Sequence, residues 1–253
     1  MTFPDERTVI VTGAGSPRGI GRVTAHRLAA AGWSVGVLDL DGAAAEAVAA
    51  ELRDTGAAAV GLAADASDPA PVDAAITEVE RTLPPIVGLV NLAGISSPKP
   101  FLEETVEGWD RIMAVNLRSV FVMAQRVVPG MIERRLGRIV SASSVSAQRG
   151  GGTYSKSAYS ASKAGILGLT RALAREVSEF GVTVNAIAPG PIDTDIMGGT
   201  LTPERKADLA RDVLVGRVGT QDEIAALIAF LLGPDAGFIT AATVDINGGL
   251  QIS

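Results

Sequence analysis

The chain has 253 residues, is 47% hydrophobic and carries a formal net charge of −6. This length provides one large domain or two small ones, with enough apolar material for a core. The acidic charge disfavours a phosphate-backbone partner, so we expect no nucleic-acid binding. The absence of cysteine excludes thiol nucleophiles, disulfides and Cys/His zinc sites, and we expect no metal ion.

His26 is the only histidine, and its helical stretch GRVTAHRLAAAG is typical of a surface residue rather than a catalytic base. No apolar run approaches the roughly 18 residues that a membrane span needs. The first residues, MTFPDERT, are polar and lack the apolar segment of a signal peptide. We therefore expect a cytoplasmic protein without membrane contact.

Short apolar runs alternate along the chain with Ala-rich segments of helical period. Strands are predicted at 8–12, 33–39, 58–64, 86–92, 137–143, 182–188 and 242–247. Helices are predicted near 19–31, 42–55, 69–82, 104–135, 158–179 and 220–232. Continuous apolar strands that alternate with helices are typical of a parallel sheet covered on both faces. The prediction is an α/β Rossmann fold over 1–253, one domain with a doubly wound parallel sheet of about seven strands and helices on both faces.

Two polar, loop-like segments follow predicted strands, at 146–158 and 191–204. Doubly wound folds bind their ligands at the carboxyl ends of the strands. We expect 191–215 to form a lid over the substrate.

The segment Thr12–Gly21, TGAGSPRGIG, lies between the first predicted strand and the first predicted helix. Its glycines allow a tight turn and let backbone N–H groups approach a pyrophosphate, and the helix N-terminus adds partial positive charge. This context predicts a dinucleotide site.

Asp39 ends the second predicted strand, where its carboxylate can accept hydrogen bonds from the adenosine ribose. The same charge would repel the 2′-phosphate of NADP. Arg18 argues the other way, since a basic side chain in the glycine loop can bind that phosphate. Leu40 and Asp41, not basic residues, follow Asp39. NAD(H) is favoured, and NADP(H) remains an alternative.

Tyr159 and Lys163 lie four residues apart in a strongly helical segment and therefore share one helix face. A nearby ammonium favours the phenolate, which would lower the tyrosine pKa towards the working range of a general base. Ser144 follows a predicted strand and offers a hydroxyl for a substrate oxygen. Asn116 is an amide among apolar helix neighbours, which is costly unless it has partners.

Together these motifs resemble the short-chain dehydrogenase/reductase family over nearly the whole chain. The matching pieces, in chain order, are TGAGSPRGIG, Asp39, Asp65, NLAG (91–94), Asn116, SSV (143–145), YSASK, VNAIAPGPIDT (184–194) and ITAATVDINGG. The resemblance implies that Tyr159 is the acid/base and that Lys163 lowers its pKa and holds the nicotinamide ribose. It further implies that Ser144 orients the substrate and that Asn116 positions a water linking Lys163 to solvent.

The resemblance also implies contacts with the cofactor. Asp65 and Ala66 would meet the adenine, and Ile192 and Thr194 would hold the carboxamide. The full expected set is Gly13, Gly15, Arg18, Gly19, Ile20, Gly21, Asp39, Leu40, Asp65, Ala66, Asn91, Ala93, Gly94, Tyr159, Lys163, Pro189, Gly190, Ile192 and Thr194.

The sequence departs from the family pattern at three places. The glycine loop is two residues longer than the usual T-G-x-x-x-G-x-G. The usual N-N-A-G appears as Asn91-Leu92-Ala93-Gly94, without one amide that normally ties neighbouring strands, and the stretch from Ser144 to Tyr159 is slightly longer. No catalytic group is lost.

The leading hypothesis for the activity is an NAD(P)-dependent oxidoreductase acting on a secondary alcohol or ketone. An alternative is a 3-oxoacyl-carrier-protein or acyl-CoA reductase that uses NADPH. Arg135 matches a basic residue of carrier-protein reductases, but Phe180 stands where another is typical. A third hypothesis, a non-catalytic dinucleotide-binding regulator, conflicts with the presence of both Tyr159 and Lys163. The resemblance implies a homotetramer.

Overall fold

The computed structural model describes residues 3–152 and 154–252, so residues 1–2, 153 and 253 of the predicted domain lie outside the described residues. Seven parallel strands form one sheet in the order β3-β2-β1-β4-β5-β6-β7. The strands are β1 (Thr8–Thr12), β2 (Ser34–Asp39), β3 (Ala59–Ala63), β4 (Ile86–Asn91), β5 (Gly137–Ala142), β6 (Val182–Pro189) and β7 (Thr243–Ile246). The chain reverses its direction of strand addition between β3 and β4, so the carboxyl ends of β1 and β4 form the switch point where such sheets bind ligands.

Helices cover both faces of the sheet. They are α1 (Ile20–Ala30), α2 (Gly42–Asp54), α3 (Pro69–Thr82), α4 (Val106–Met113), α5 (Ser119–Arg134), α6 (Val145–Arg149), α7 (Ser157–Val177), α8 (Pro203–Ala210) and α9 (Gln221–Leu232). Buried residues of α1, α2 and α9 pack against one face of the sheet, and those of α3, α5 and α7 pack against the other. The predicted fold class, a doubly wound α/β sheet, is confirmed.

The helix predicted over 104–135 is interrupted. A π-helical segment, Ala114–Arg118, separates α4 from α5 and contains the fully buried Asn116. A π-helical turn adds a residue to the helical repeat and is frequent at functional sites. Here it contains the Asn116 amide, which is hydrogen-bonded to the chain after β4 and to α7.

The short helix α6 lies at the start of the loop-like segment predicted at 146–158, and α8 begins at the end of the one predicted at 191–204, within the predicted lid. α8 has no buried residue, so its sequence carries no apolar periodicity from which a helix could be predicted. None of the helices in the described part of the chain is long and apolar enough to cross a membrane.

Candidate active site

A cavity of about 670 Å³ opens at the carboxyl edge of the sheet, between the glycine loop and the segments that follow β4, β5 and β6. Many residues predicted from the sequence line it together. They are Gly13, Gly19, Ile20, Gly21, Gly94, Ser144, Tyr159, Lys163, Pro189, Gly190, Ile192 and Thr194. The remaining predicted residues are not part of this lining, and several of them support it from behind, as described below.

The glycine loop is packed too closely for side chains. Gly13 has a φ of +68°, and a Cβ there would lie 2.8 Å from the backbone of Ala93. A Cβ on Gly21 would lie 2.4 Å from the carbonyl oxygen of Gly13. α1 begins after Gly19 without a side-chain cap and has no acidic residue in its first turn. Gly19, Ile20 and Gly21 line the cavity, so this uncapped helix start is suited to bind an anion there.

The Asp39 side chain, at the end of β2, is hydrogen-bonded to the glycine loop. One carboxylate oxygen accepts a 2.8 Å hydrogen bond from the Gly15 N–H, and the other accepts one from Asp41 N–H at 3.2 Å. The predicted carboxylate thus lies directly beside the glycine loop. Leu40, the next residue, is 76% exposed.

Arg18 does not extend towards Asp39 in this structure. Its guanidinium pairs with Asp193 at 2.6 Å and with Asp195 at 3.2 Å, both on the segment that follows β6. The longer glycine loop reaches the same segment through Ser16, whose hydroxyl donates to Asp195 at 2.8 Å.

The residues expected near the adenosine lie at or just after the carboxyl ends of β3 and β4. The Asp65 carboxylate accepts from the backbone N–H and the hydroxyl of Ser67, so it stabilises the turn that leads through Ala66. Asn91 donates to Ser141 at 3.0 Å and thereby ties β4 to β5. The Ala93 N–H donates to the Thr12 hydroxyl, which joins β4 to β1. The strands therefore remain tied although Leu92 replaces an amide.

Tyr159 lies in the first turn of α7, and Lys163 follows one turn later. The Lys163 ammonium lies 5.7 Å from the centre of the Tyr159 ring and donates to the Ala142 carbonyl at 2.7 Å. The Ser144 hydroxyl forms a hydrogen bond with Tyr159. A Cβ on Gly94 would lie 3.3 Å from the Asn116 amide oxygen and 3.5 Å from the Lys163 nitrogen, so this glycine packs closely against both side chains.

Burial shifts the pKa values of Tyr159 and Lys163 in opposite directions. Burial raises the pKa of Tyr159, and the hydrogen bond with Ser144 opposes that shift. Burial lowers the pKa of Lys163 to about 8, because the charged ammonium loses solvation. The sequence predicted a lowered tyrosine pKa through Lys163. The direction is the reverse here, because desolvation of the phenolate by burial is the largest cause of the shift.

Asn116 is held by protein groups. Its amide oxygen accepts from the Ile95 N–H at 2.8 Å, and its nitrogen donates to the Ile95 carbonyl at 3.0 Å and to the Ser162 hydroxyl at 3.1 Å. Both amide hydrogens are thus used to fix the chain after β4 against α7. The side chain has a positioning role, and the water relay to Lys163 remains a prediction.

Comparison with known proteins decides the family. The family described as Enoyl-(Acyl carrier protein) reductase matches residues 13–251. A short-chain type dehydrogenase/reductase of Sinorhizobium fredii, itself uncharacterised, is 39% identical over 97% of this chain and 98% of the relative. A 2-(S)-hydroxypropyl-CoM dehydrogenase of Xanthobacter autotrophicus is 38% identical, covering 96% and 95% of the two chains.

A crystal structure of a 3-oxoacyl-[acyl-carrier protein] reductase from Brucella melitensis superposes with a TM-score of 0.90 at 32% identity, over 100% of this chain and 97% of that one. The chain belongs to the short-chain dehydrogenase/reductase family. The predicted resemblance is confirmed, and the protein is an oxidoreductase of a family that binds a nicotinamide dinucleotide.

Several site residues of this short-chain dehydrogenase/reductase escaped the sequence interpretation. Ser143 donates to the Lys163 carbonyl at 2.8 Å and so anchors α7 to β5. Asp193 lies within a matched motif and Asp195 directly follows it, yet only the fold shows that they meet the glycine loop. α8 adds Asp208 and Leu209 to the cavity lining. In the described part of the chain, no three His, Cys, Asp or Glu side chains group as metal ligands.

Proposed function

We propose that this protein is an NAD(H)-dependent oxidoreductase that transfers a hydride between nicotinamide and a secondary alcohol or ketone, with Tyr159 as the acid/base. The observation that carries this proposal is the convergence of Tyr159, Ser144 and Lys163 on the same cavity as the glycine loop. A binding module would have no need of a buried phenol–ammonium pair beside a dinucleotide site.

The residues of the chain fit a nicotinamide dinucleotide. The backbone of the glycine loop, whose Gly13, Gly19 and Gly21 line the cavity, suits a pyrophosphate together with the uncapped start of α1. Asp39 would hold the adenosine ribose, and Lys163 the nicotinamide ribose. Ile192 and Thr194 would hold the carboxamide; both are buried in the cavity wall. When bound, the nicotinamide dinucleotide supplies or accepts the hydride.

The proton chemistry belongs to the protein. In ketone reduction, the hydroxyls of Ser144 and Tyr159 donate hydrogen bonds to the substrate oxygen, and Tyr159 gives that oxygen its proton as the alcohol forms. The raised pKa of Tyr159 keeps the phenol protonated at neutral pH, which suits this direction. The Lys163 ammonium stabilises the phenolate that is left. Alcohol oxidation uses the same groups in reverse.

The preference for NAD(H) is supported by charge. Asp39 places a carboxylate beside the glycine loop, where it would repel a ribose 2′-phosphate. Arg18, the basic residue of the loop, is paired with two other carboxylates. The competing proposal is an NADPH-dependent 3-oxoacyl-carrier-protein reductase, and it is favoured by the TM-score of 0.90 to a reductase of that name.

The cavity mouth favours a small substrate over an acidic carrier. Asp208, in α8, and Asp212 line the cavity together with Arg149. Carboxylates in the lining disfavour an acidic protein. Ile95, Leu209 and Tyr154 provide apolar walls suited to a small alcohol or ketone. The substrate lid at 191–215, the homotetramer and the cytoplasmic location remain predictions.

The test is binding of NADH and NADPH to the purified protein, followed by turnover of an alcohol and ketone panel with the tighter cofactor. We expect tighter NADH binding and turnover of a small secondary alcohol. Tyr159→Phe should abolish turnover and leave the Kd of NADH within about twofold, because one hydroxyl is removed and the ring is kept. Comparable kcat in this variant would refute the acid/base role. Tighter NADPH binding, with turnover only of acyl thioesters, would support the carrier-protein alternative.

A further inference from the structure

A compact cluster of polar and charged side chains connects the longer glycine loop to the segment after β6. It consists of Ser16 and Arg18 from the loop and Asp193, Asp195 and Lys206 from the segment. Arg18 contacts both carboxylates, at 2.6 and 3.2 Å, and Ser16 donates to Asp195 at 2.8 Å. Lys206, in α8, contacts the second oxygen of Asp193 at 2.6 Å.

Asp193 is the centre of this cluster. Its carboxylate also accepts from the Leu201 N–H at 3.2 Å, and its carbonyl accepts from Gln221 at 2.6 Å. Gln221 donates to the Arg18 carbonyl at 3.2 Å as well, so the backbone of Arg18 is fixed along with its side chain. The hydrogen bond with Lys206 is the largest cause that lowers the pKa of Asp193, which keeps this carboxylate ionised at neutral pH.

The direction of Arg18 has a consequence for the cofactor. In the sheet, β2, which ends in Asp39, and β6 lie on opposite sides of β1. The Arg18 side chain pairs with residues after β6, whereas the Gly15 N–H, three residues earlier, donates to Asp39. The guanidinium is therefore held towards the β6 side, away from the strand end at which the adenosine ribose is expected.

We infer that Asp193 and Asp195 determine the cofactor preference by holding Arg18 away from the ribose 2′ position. This inference rests on the proposed function, because it concerns the same dinucleotide site. An arginine in this loop would attract a 2′-phosphate if it were free to turn towards Asp39. The two carboxylates neutralise its charge and fix its orientation, so the charge of Asp39 acts unopposed. They are positioning residues that act through Arg18.

The test compares the Kd values of NADH and NADPH, measured by calorimetry, in a set of near-isosteric variants. In the double variant Asp193→Asn/Asp195→Asn, Arg18 loses both charged partners. We expect the NADPH affinity relative to NADH to rise about tenfold, the usual order for one charge-assisted hydrogen bond. Adding Arg18→Ala to the double variant should cancel the rise, and Arg18→Ala alone should leave the ratio within about twofold of the starting protein.

Lys206→Met provides the matched control. It removes the other ion pair of Asp193 and leaves Arg18 paired. If loosening of the segment were enough to change the ratio of the two Kd values, this variant would change it too. We expect no change of the ratio in this variant. The inference is overturned if the double variant leaves the ratio unchanged, if the rise persists without Arg18, or if Lys206→Met gives the same rise.

The outcome is separable from that of the proposed function. The proposed function depends on which cofactor the unmodified protein binds more tightly and on turnover. The inference depends on how the ratio changes when the carboxylates are neutralised, and on whether that change requires Arg18. A protein that prefers NADPH but loses this preference in Arg18→Ala would contradict both.

Discussion

Substituting Gly21 with alanine tests whether the close contact of α1 with the glycine loop creates the cofactor site. The added Cβ would lie 2.4 Å from the Gly13 carbonyl oxygen and 2.7 Å from the Ala14 Cα. Real Cβ atoms essentially never come within 3.0 Å of such atoms. Since both neighbours are backbone, no side chain can turn aside, and α1 must move away from the loop by roughly 0.5–1 Å, the range over which packing contacts are already lost.

The expected magnitude follows from this displacement. Overpacking of a well-packed site costs about 1–3 kcal/mol of the free energy of unfolding. The start of α1 moves with the helix, so the N–H groups that would bind the pyrophosphate lose their alignment. We expect the Kd of NADH to rise at least about tenfold, equivalent to about 1.4 kcal/mol.

Gly168→Ala is the matched control for Gly21→Ala. Gly168 lies in the middle of α7, and a Cβ there would meet no atom within 4 Å. Alanine should therefore stabilise the protein by about 0.5–1 kcal/mol through helix propensity, with no effect on cofactor affinity. Urea unfolding and calorimetric NADH titration measure both quantities. If Gly21→Ala retained the original stability and the original Kd, the close contact would not be what forms the site.

Two further predictions concern the charges of the site. For ketone reduction, kcat/KM should be constant at neutral pH and fall as the pH rises through about 8, because Lys163 loses its ammonium proton there; a pH profile from 6 to 10 that stays flat would contradict this assignment. Asp39→Asn should raise the NADPH affinity relative to NADH about tenfold, since it removes the repelling charge and keeps an acceptor for the Gly15 N–H. The Asp39→Asn effect should shrink at high salt, and an unchanged ratio of the two Kd values would show that the Asp39 charge does not select the cofactor.

The sheet was predictable because its strands are continuous apolar runs. β1, for example, is buried along its whole length and was predicted at residues 8–12 from its apolar, β-prone run TVIVT. The helices that pack on the sheet were predictable because their Ala-rich segments have a helical period. α8 was not predicted because none of its residues is buried. The π-helical break in the predicted helix 104–135 was not predicted because it depends on tertiary contacts. Asn116 is satisfied there by Ile95, from the chain after β4, and no local pattern signals that contact.

In the candidate site, the residue types were predictable and their electrostatic states were not. Spacing alone placed Tyr159 and Lys163 on one helix face. The orientation of Arg18 depends on Asp193, which is 175 residues away in the chain, so the sequence left two directions open. The direction of the Tyr159 pKa shift likewise depends on how far the fold buries the phenol, and spacing carries no information about that.

The opposite pKa shifts of Tyr159 and Lys163 bear on the direction of the reaction. A buried phenol retains its proton, and a buried ammonium with a pKa of about 8 is close to releasing its own. With the phenol and the ammonium both protonated at neutral pH, the site can donate a proton, as ketone reduction requires. Alcohol oxidation needs the phenolate, which burial disfavours unless positive charge lies beside it. Lys163 supplies that charge only below a pH of about 8, so an alkaline optimum for oxidation would have to arise from titration of Tyr159 itself and not from the lysine.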